Sequence, residues 1–250
     1  MNTLILKMTR KQFIKLSTLA GITLSVHPLF AFQNEKTLTY DELIGKGLPK
    51  LYGNGYKLKL EVHLAFLNMQ KEAQKSDVSI KIVSSYRSFK HQNDIWQRKF
   101  KTYISTGMTP KNAIDKIIEY STIPGTSRHH WGTEIDIIDT NANQPKQVLA
   151  PSNFGPIGPY YPLKQWMDVH ANSFGFYLVY TNLPKRKGFK YEPWHYSYKP
   201  LSSNYLKAYR NLDLNQLVKN EALLGGEYFT NAFTDSYLNE NLLDINPELL

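Results

Sequence analysis

Apolar residues recur at helical spacing from residue 58 to 76, where Leu58, Val62, Phe66 and Met69 share one stripe, so a helix is predicted there. Val78 to Val83 is a short β-branched run ending at Ser84-Ser85, which reads as a strand and a turn. A helix is expected over Lys90 to Ile104, burying Ile95, Phe100 and Ile104. Thr109-Pro110 pairs a capping residue with proline at the first helical position and opens another helix, running to about Tyr120. Thr133 to Ile138 alternates: Ile135 and Ile137 face one side, while Glu134, Asp136 and Ile138 face the other. A helix over 161–173, a strand over 176–180 and a strand carrying Glu192 and His195 follow. This order predicts an α+β fold, a small antiparallel sheet flanked by helices.

The ends of the chain read differently from its middle. Lys7, Arg10, Lys11 and Lys15 precede an apolar run from Leu16 to about Phe32 with no acidic residue, which predicts an export signal over residues 1–31, with Leu29-Phe30-Ala31 as its cleavage site. Thr9-Arg10-Lys11 resembles a twin-arginine leader with lysine in the second place. His27 and Pro28 interrupt the run, which favours a cleaved leader over a spanning helix, so the mature chain is expected to have no membrane span. Residues 32–55 are polar and glycine-punctuated, an expected N-terminal arm; residues 56–200 form the predicted catalytic domain. From Leu201 to Leu250 the chain is helical and acidic, with three basic against seven acidic residues, and reads as a C-terminal extension.

The chain has no cysteine, so disulfides and thiolate-bound metals are excluded and any metal must sit on histidine and carboxylate. Residues 32–200 carry 23 basic and 14 acidic residues, a net of +9. On charge alone this reads first as a solvated basic surface with no particular partner, and it also suits an anionic polymer such as cell wall or nucleic acid. An export leader argues against nucleic acid as that polymer.

Two segments concentrate the chemistry: Ser127-Arg128-His129-His130-Trp131-Gly132-Thr133-Glu134-Ile135-Asp136, and Glu192-Pro193-Trp194-His195. A catalytic zinc site needs three ligands from His, Asp and Glu, an open position, and a nearby base. His129, Asp136 and His195 supply the ligands, and Glu192 the base. His129 and Asp136 are seven apart, so a straight strand would point them to opposite faces; Gly132 permits the bend that brings them together. Pro193 kinks the strand so that Glu192 and His195 converge despite their odd spacing. Asp139 falls on the isoleucine side and is set aside as a ligand. His130 is expected to point away from the metal, and His63, His91 and His170 read as structural. Trp131 and Trp194 read as walls that exclude water. Arg87 offers a permanently charged fork of donors, suited to a substrate carboxylate or to the oxyanion of a tetrahedral intermediate. Ser127 is a candidate donor to a terminal carboxylate, with Gln92 assisting.

Ser-x-His-x-x-Gly-x-x-x-Asp at residues 127–136, followed by Glu-Pro-Trp-His at 192–195, resembles the VanY-like D-alanyl-D-alanine carboxypeptidases, which share the zinc D,D-peptidase/hedgehog fold. Ser84-Ser85-Tyr86-Arg87-Ser88 with Gln92 is similar to that family's substrate-binding arginine segment, and Phe174-Gly175-Phe176 also fits. The resemblance covers roughly residues 56–199. It implies zinc-dependent hydrolysis of the terminal D-Ala-D-Ala amide of peptidoglycan stem peptides by an enzyme of the bacterial periplasm or cell envelope. It also implies that Arg87 meets the substrate at the scissile carbonyl. Rival outcomes are an L,D-carboxypeptidase, a wall endopeptidase, and an inactive hedgehog-like zinc module; the intact Glu192 speaks against the last. The chain departs from the pattern at Glu134, where a small residue is usual, and at Ser197, where arginine is common.

Overall fold

In the computed structural model, which describes residues 38–250, Thr39 opens a first short helix α1 (Tyr40–Ile44) with a reciprocal cap. Its side chain accepts from the Glu42 amide while the Glu42 carboxylate accepts from the Thr39 amide. The expected export signal, and residues 32–37 of the expected arm, lie outside the described residues.

Helix α2 (Leu60–Gln74) buries Val62, Phe66, Met69 and Ala73 along the stripe read from the sequence. Strand β1 (Ile80–Ser84) follows, and Ser88 then caps α3 (Phe89–Ser105) by accepting from the His91 amide. On α3 the buried positions are Phe89, Gln92, Trp96 and Phe100; Ile104, expected inside, is 37% exposed. Ile95, also expected inside, is only half-buried, whereas Gln92 is drawn inward by its hydrogen bonds to Arg87 and the Thr122 carbonyl. Thr109 and Pro110 begin α4 (Pro110–Ile117) as predicted.

Strand β2 (Glu134–Asp139), helix α5 (Tyr161–His170), and strands β3 (Phe176–Leu178) and β4 (His195–Tyr198) complete a four-stranded antiparallel sheet in the order β1-β2-β4-β3. Glu192, expected on a strand, sits in a turn just before β4, where the His195 amide bonds back to the Glu192 carbonyl at 3.0 Å. Pro193 has no amide to give a sheet ladder, and the strand starts only after it.

The sheet has two chemically distinct faces. Ile135, Ile137, Tyr196 and Tyr198 join Val62, Phe66 and Met69 of α2 in one apolar core. Glu134, Asp136, His195 and Ser197 occupy the opposite face. A second core gathers Trp96, Phe100, Ile114 and Trp131, and residues beyond 200 supply much of it. These residues come from α6 (Lys199–Tyr209), α7 (Leu214–Asn220), α8 (Asn231–Tyr237) and the chain after them. Among the described residues no helix is long and apolar enough to cross a membrane.

Candidate metal centre

The antiparallel register of β2 and β4 sets Asp136 directly across from His195, and Glu134 across from Ser197. Alternation then turns all four side chains to one face. His129 arrives from a single 3-10 turn, Arg128–Trp131, capped by Ser127, whose hydroxyl accepts from the His129 amide. Gly132 ends that turn at φ 71°, and a Cβ there would lie 3.0 Å from Leu51. A side chain at this position would meet both the left-handed strain and the clash, so glycine makes the bend that carries the chain from His129 into β2.

The donor atoms of His129, Asp136 and His195 all lie within 4.8 Å of one another, and all three residues are buried. His129 Nε2 is 3.4 Å from Asp136 Oδ2, and His195 Nδ1 is 3.1 Å from Asp136 Oδ1. A tetrahedral ion with bonds near 2.1 Å holds its ligand atoms about 3.4 Å apart. His129 Nε2 and Asp136 Oδ1 make no well-directed hydrogen bond, although Asp136 Oδ2 lies 3.4 Å from the first and His195 Nδ1 3.1 Å from the second, an arrangement better satisfied by a cation between them. The outer nitrogen of each ring is tied down: His129 Nδ1 to the Ser85 carbonyl at 2.7 Å, and His195 Nε2 to Glu134 Oε2 at 3.0 Å. The residues present fit a zinc ion.

The electrostatics differ between the ligands. Burial alone would lower the His195 pKa, but Asp136, Glu134 and Glu192 together hold it well above the ordinary imidazole range, so an ion binding at Nδ1 displaces a proton. Burial, with the nearby Arg87 charge, pulls the His129 pKa down to about 4, so its ring is neutral and its lone pair available at neutral pH. Burial alone would raise Asp136, but His129 and His195 hold it well below the usual carboxylate range. Glu192 lies with its Oε2 3.5 Å from His195 Nδ1, and burial raises its pKa, strengthening it as a proton acceptor.

Arg87 points into the same cleft. Its Nη1 donates to Gln92 Oε1 at 2.9 Å and its Nη2 reaches Asp136 Oδ2 at 3.5 Å. Gln92 is fully buried, and its own amide donates to the Thr122 carbonyl at 2.9 Å, so it stands behind Arg87. Ser127 lines the cleft with Tyr180, Phe189 and Glu192. His130 points away: its Nδ1–H donates to the Arg87 carbonyl at 2.7 Å, and its Nε2 accepts from the Gly125 amide at 3.2 Å. Asp139, set aside as a ligand, accepts from the Ser79 and Asn141 amides at the far end of β2.

Two of the residues that shape this site had no role in the sequence reading. Glu134 was visible on the Asp136 face, yet its contact with His195 depends on the strand pairing. Arg128 donates from Nη2 to Glu134 Oε1 at 3.3 Å and to Ser197 Oγ at 2.8 Å, stacked 4.8 Å over the Trp131 ring. Local sequence carried no signal for that contact with residue 197.

The VanY family model, described as D-alanyl-D-alanine carboxypeptidase, matches residues 55–201. The chain belongs to that family. This VanY-family enzyme is 34% identical over 107 residues to an uncharacterized protein of Haemophilus influenzae, a match covering 42% of this chain and 82% of the other. It is 26% identical over 146 residues to a D-alanyl-D-alanine carboxypeptidase of Enterococcus faecalis, a match covering 58% of this chain and about half, 49%, of that one. A solved structure of VanYB in complex with D-alanine-D-alanine is 22% identical, with a TM-score of 0.49, covering 69% of this chain and 88% of that one. The family match ends where α6 begins, so most of the second core lies beyond it.

Proposed function

We propose that this VanY-family enzyme is a zinc-dependent carboxypeptidase that removes the terminal D-alanine from peptidoglycan stem peptides, with His129, Asp136 and His195 holding the ion. The supporting observation is the convergence of three buried ligand atoms within 4.8 Å of one another, with His129 Nε2 and Asp136 Oδ1 lacking a well-directed hydrogen bond, beside a raised-pKa carboxylate. Zinc bound there would supply a Lewis acid for the scissile carbonyl and lower the pKa of water.

The chain's own groups do the rest. Glu192 takes the proton of the attacking water as oxygen bonds to the carbonyl carbon, and delivers it to the amine as the C–N bond breaks. Arg87, oriented by Gln92, keeps donors for the developing oxyanion or the terminal carboxylate. We read Ser127, which lines the cleft at the start of the turn that carries His129, as a donor to that carboxylate. Tyr180 and Phe189 wall off water beside His195.

The basic composition of residues 32–200 suits an anionic wall polymer, and the basic, then apolar, residues 1–31 support export to the periplasm or cell envelope. We read residues 56–200 as the catalytic domain and 201–250 as an extension bound to it. The test is incubation of the zinc-loaded protein with defined muropeptides. Free D-alanine from pentapeptide stems, absent with Glu192→Gln, supports the reading. Release from tetrapeptide stems alone would make it an L,D-carboxypeptidase, and internal cleavage an endopeptidase. Binding of wall fragments without hydrolysis would make it a zinc-holding module.

A further inference from the structure

Glu134 is completely buried, and each of its two carboxylate oxygens has a separate task. Oε2 faces His195 Nε2 at 3.0 Å. Oε1 accepts from the Ser197 hydroxyl at 2.7 Å, from the Thr133 hydroxyl at 2.9 Å and from Arg128 Nη2 at 3.3 Å. Ser197 is itself held, with Arg128 Nη2 donating to its oxygen at 2.8 Å and the Ser197 and Ser202 hydroxyl oxygens in hydrogen-bond contact at 2.7 Å. A carboxylate fixed by this many donors at one oxygen has little freedom to turn the other away from His195.

That fixed oxygen decides which nitrogen of His195 carries hydrogen. An ionised carboxylate only accepts, so Nε2 must be the protonated nitrogen for the contact to hold. In the neutral ring Nδ1 is then the one with a free lone pair, and Nδ1 is the atom turned toward Asp136 and Glu192. A free imidazole has no comparable bias between its two nitrogens. Glu134 is not a fourth ligand in this arrangement, because it lies on the far side of the ring from Asp136. Nor is it only the partner of a salt bridge, since Arg128 meets one oxygen and His195 the other.

We propose that Glu134 is a positioning residue for His195: it accepts the Nε2 proton and so presents the Nδ1 lone pair to the metal, while Arg128 and Ser197 hold its carboxylate in place. This rests on the reading of His129, Asp136 and His195 as the ligand set. Arg128 also supplies the charge that makes a third carboxylate tolerable beside Asp136 and Glu192. Positions 134 and 197, at which the chain departs from the family pattern, are cross-strand partners in this network.

The test is zinc affinity of the full chain, measured by competition with a chromophoric chelator. In Glu134→Gln the amide cannot accept at both ends, so it either donates toward His195 Nε2 or confronts Arg128 and Ser197. The zinc Kd should rise about 10- to 100-fold while the far-UV spectrum stays that of the wild type. Ser197→Ala, which leaves the Glu134 charge in place, should weaken zinc by a smaller factor in the same direction. The wild-type zinc form gives a readout that needs no variant: nitrogen NMR of labelled histidine should show His195 protonated at Nε2 and metallated at Nδ1. Wild-type affinity in a folded Glu134→Gln, or the opposite tautomer at His195, overturns the proposal. The ligand reading fails separately, if His195→Ala keeps full zinc.

Discussion

Asp136 and His195 face each other across two antiparallel strands, with His195 Nδ1 3.1 Å from Asp136 Oδ1. A directly opposed pair on one face of a sheet is fixed by register, so the spacing survives without any contribution from a loop. His129 is carried instead by a single 3-10 turn and anchored through its Nδ1 contact with the Ser85 carbonyl at 2.7 Å. We therefore expect His195→Ala and Asp136→Ala to lose zinc completely in metal analysis after dialysis against a weak chelator. His129→Ala should lose it too, and the Gly132→Ala variant should bind more weakly because the bend is strained. Full zinc occupancy in His195→Ala would remove the assignment.

Glu192 sits outside the strand, attached through its amide to the Tyr180 carbonyl at 3.1 Å and through its carbonyl to the His195 amide. Its side chain is free of backbone duties, so Glu192→Gln should preserve fold and zinc. Turnover should fall by about 10²- to 10⁴-fold, the usual contribution of a positioned acid–base group. A variant that hydrolyses muropeptides at near the wild-type rate would place the base on another residue.

The sequence made the three candidate ligands and Glu192 legible because each lies in a short segment whose parity and turn residues decide its direction. Ile135 and Ile137 marked the apolar face of β2, which left Glu134 and Asp136 for the other. What stayed hidden depends on pairing between distant segments. Arg128 reaches Ser197 across 69 positions, and Trp96 gives its indole N–H to the Leu224 carbonyl across 128. The stripe on α3 was misread for a related reason. Apolar type alone put Ile104 inside, whereas Gln92, a polar residue, is buried because Arg87, Thr122 and Ser121 satisfy it.

His130 links acid to unfolding. Both ring nitrogens are engaged in the neutral form, and Gly45 at φ 82° packs against the ring so closely that a Cβ would lie 2.3 Å from Nδ1. Burial lowers its pKa to about 3 from an ordinary 6.5. The unfolded chain therefore binds a proton that the folded chain refuses, so stability is full above about pH 6.5 and declines as pH falls toward 3. Urea midpoints of zinc-free protein should drop between pH 7 and pH 5. In His130→Gln that slope should be shallower, and an unchanged slope would assign the acid sensitivity to other groups.

Gln92 should act on catalysis through Arg87. Gln92→Met keeps the volume of the side chain but frees the guanidinium to swing. Because a small misplacement of a positioning group costs up to about 100-fold in rate, kcat/KM should fall by that order with zinc content unchanged. Arg87→Ala should lose activity, and Arg87→Lys should not restore it, since lysine has no planar fork. Equal activity of Gln92→Met and wild type would mean that Arg87 is held by Asp136 alone.

The tail beyond the family match should matter through Tyr237. Its hydroxyl accepts from the Ile123 amide at 3.1 Å and shares a hydrogen bond with Thr126 Oγ1 at 2.9 Å. Thr126 in turn donates to the Ile123 carbonyl at 2.8 Å, which closes the turn leading into Ser127 and His129. Tyr209, also from the tail, donates to the Gly125 carbonyl of the same turn at 3.2 Å. Tyr237→Phe keeps the ring against Phe189 and Phe233 and deletes only the oxygen. The buried Ile123 amide then loses its partner, at a cost of about 1–3 kcal/mol, which urea unfolding will read directly. Since Ser121, Thr122 and Ser127 line the cleft from this turn, KM for muropeptide should rise as well, while the sheet-borne ligands Asp136 and His195 keep zinc bound. A variant destabilised by that amount but with unaltered KM would show that the tail steadies the fold without shaping the cleft.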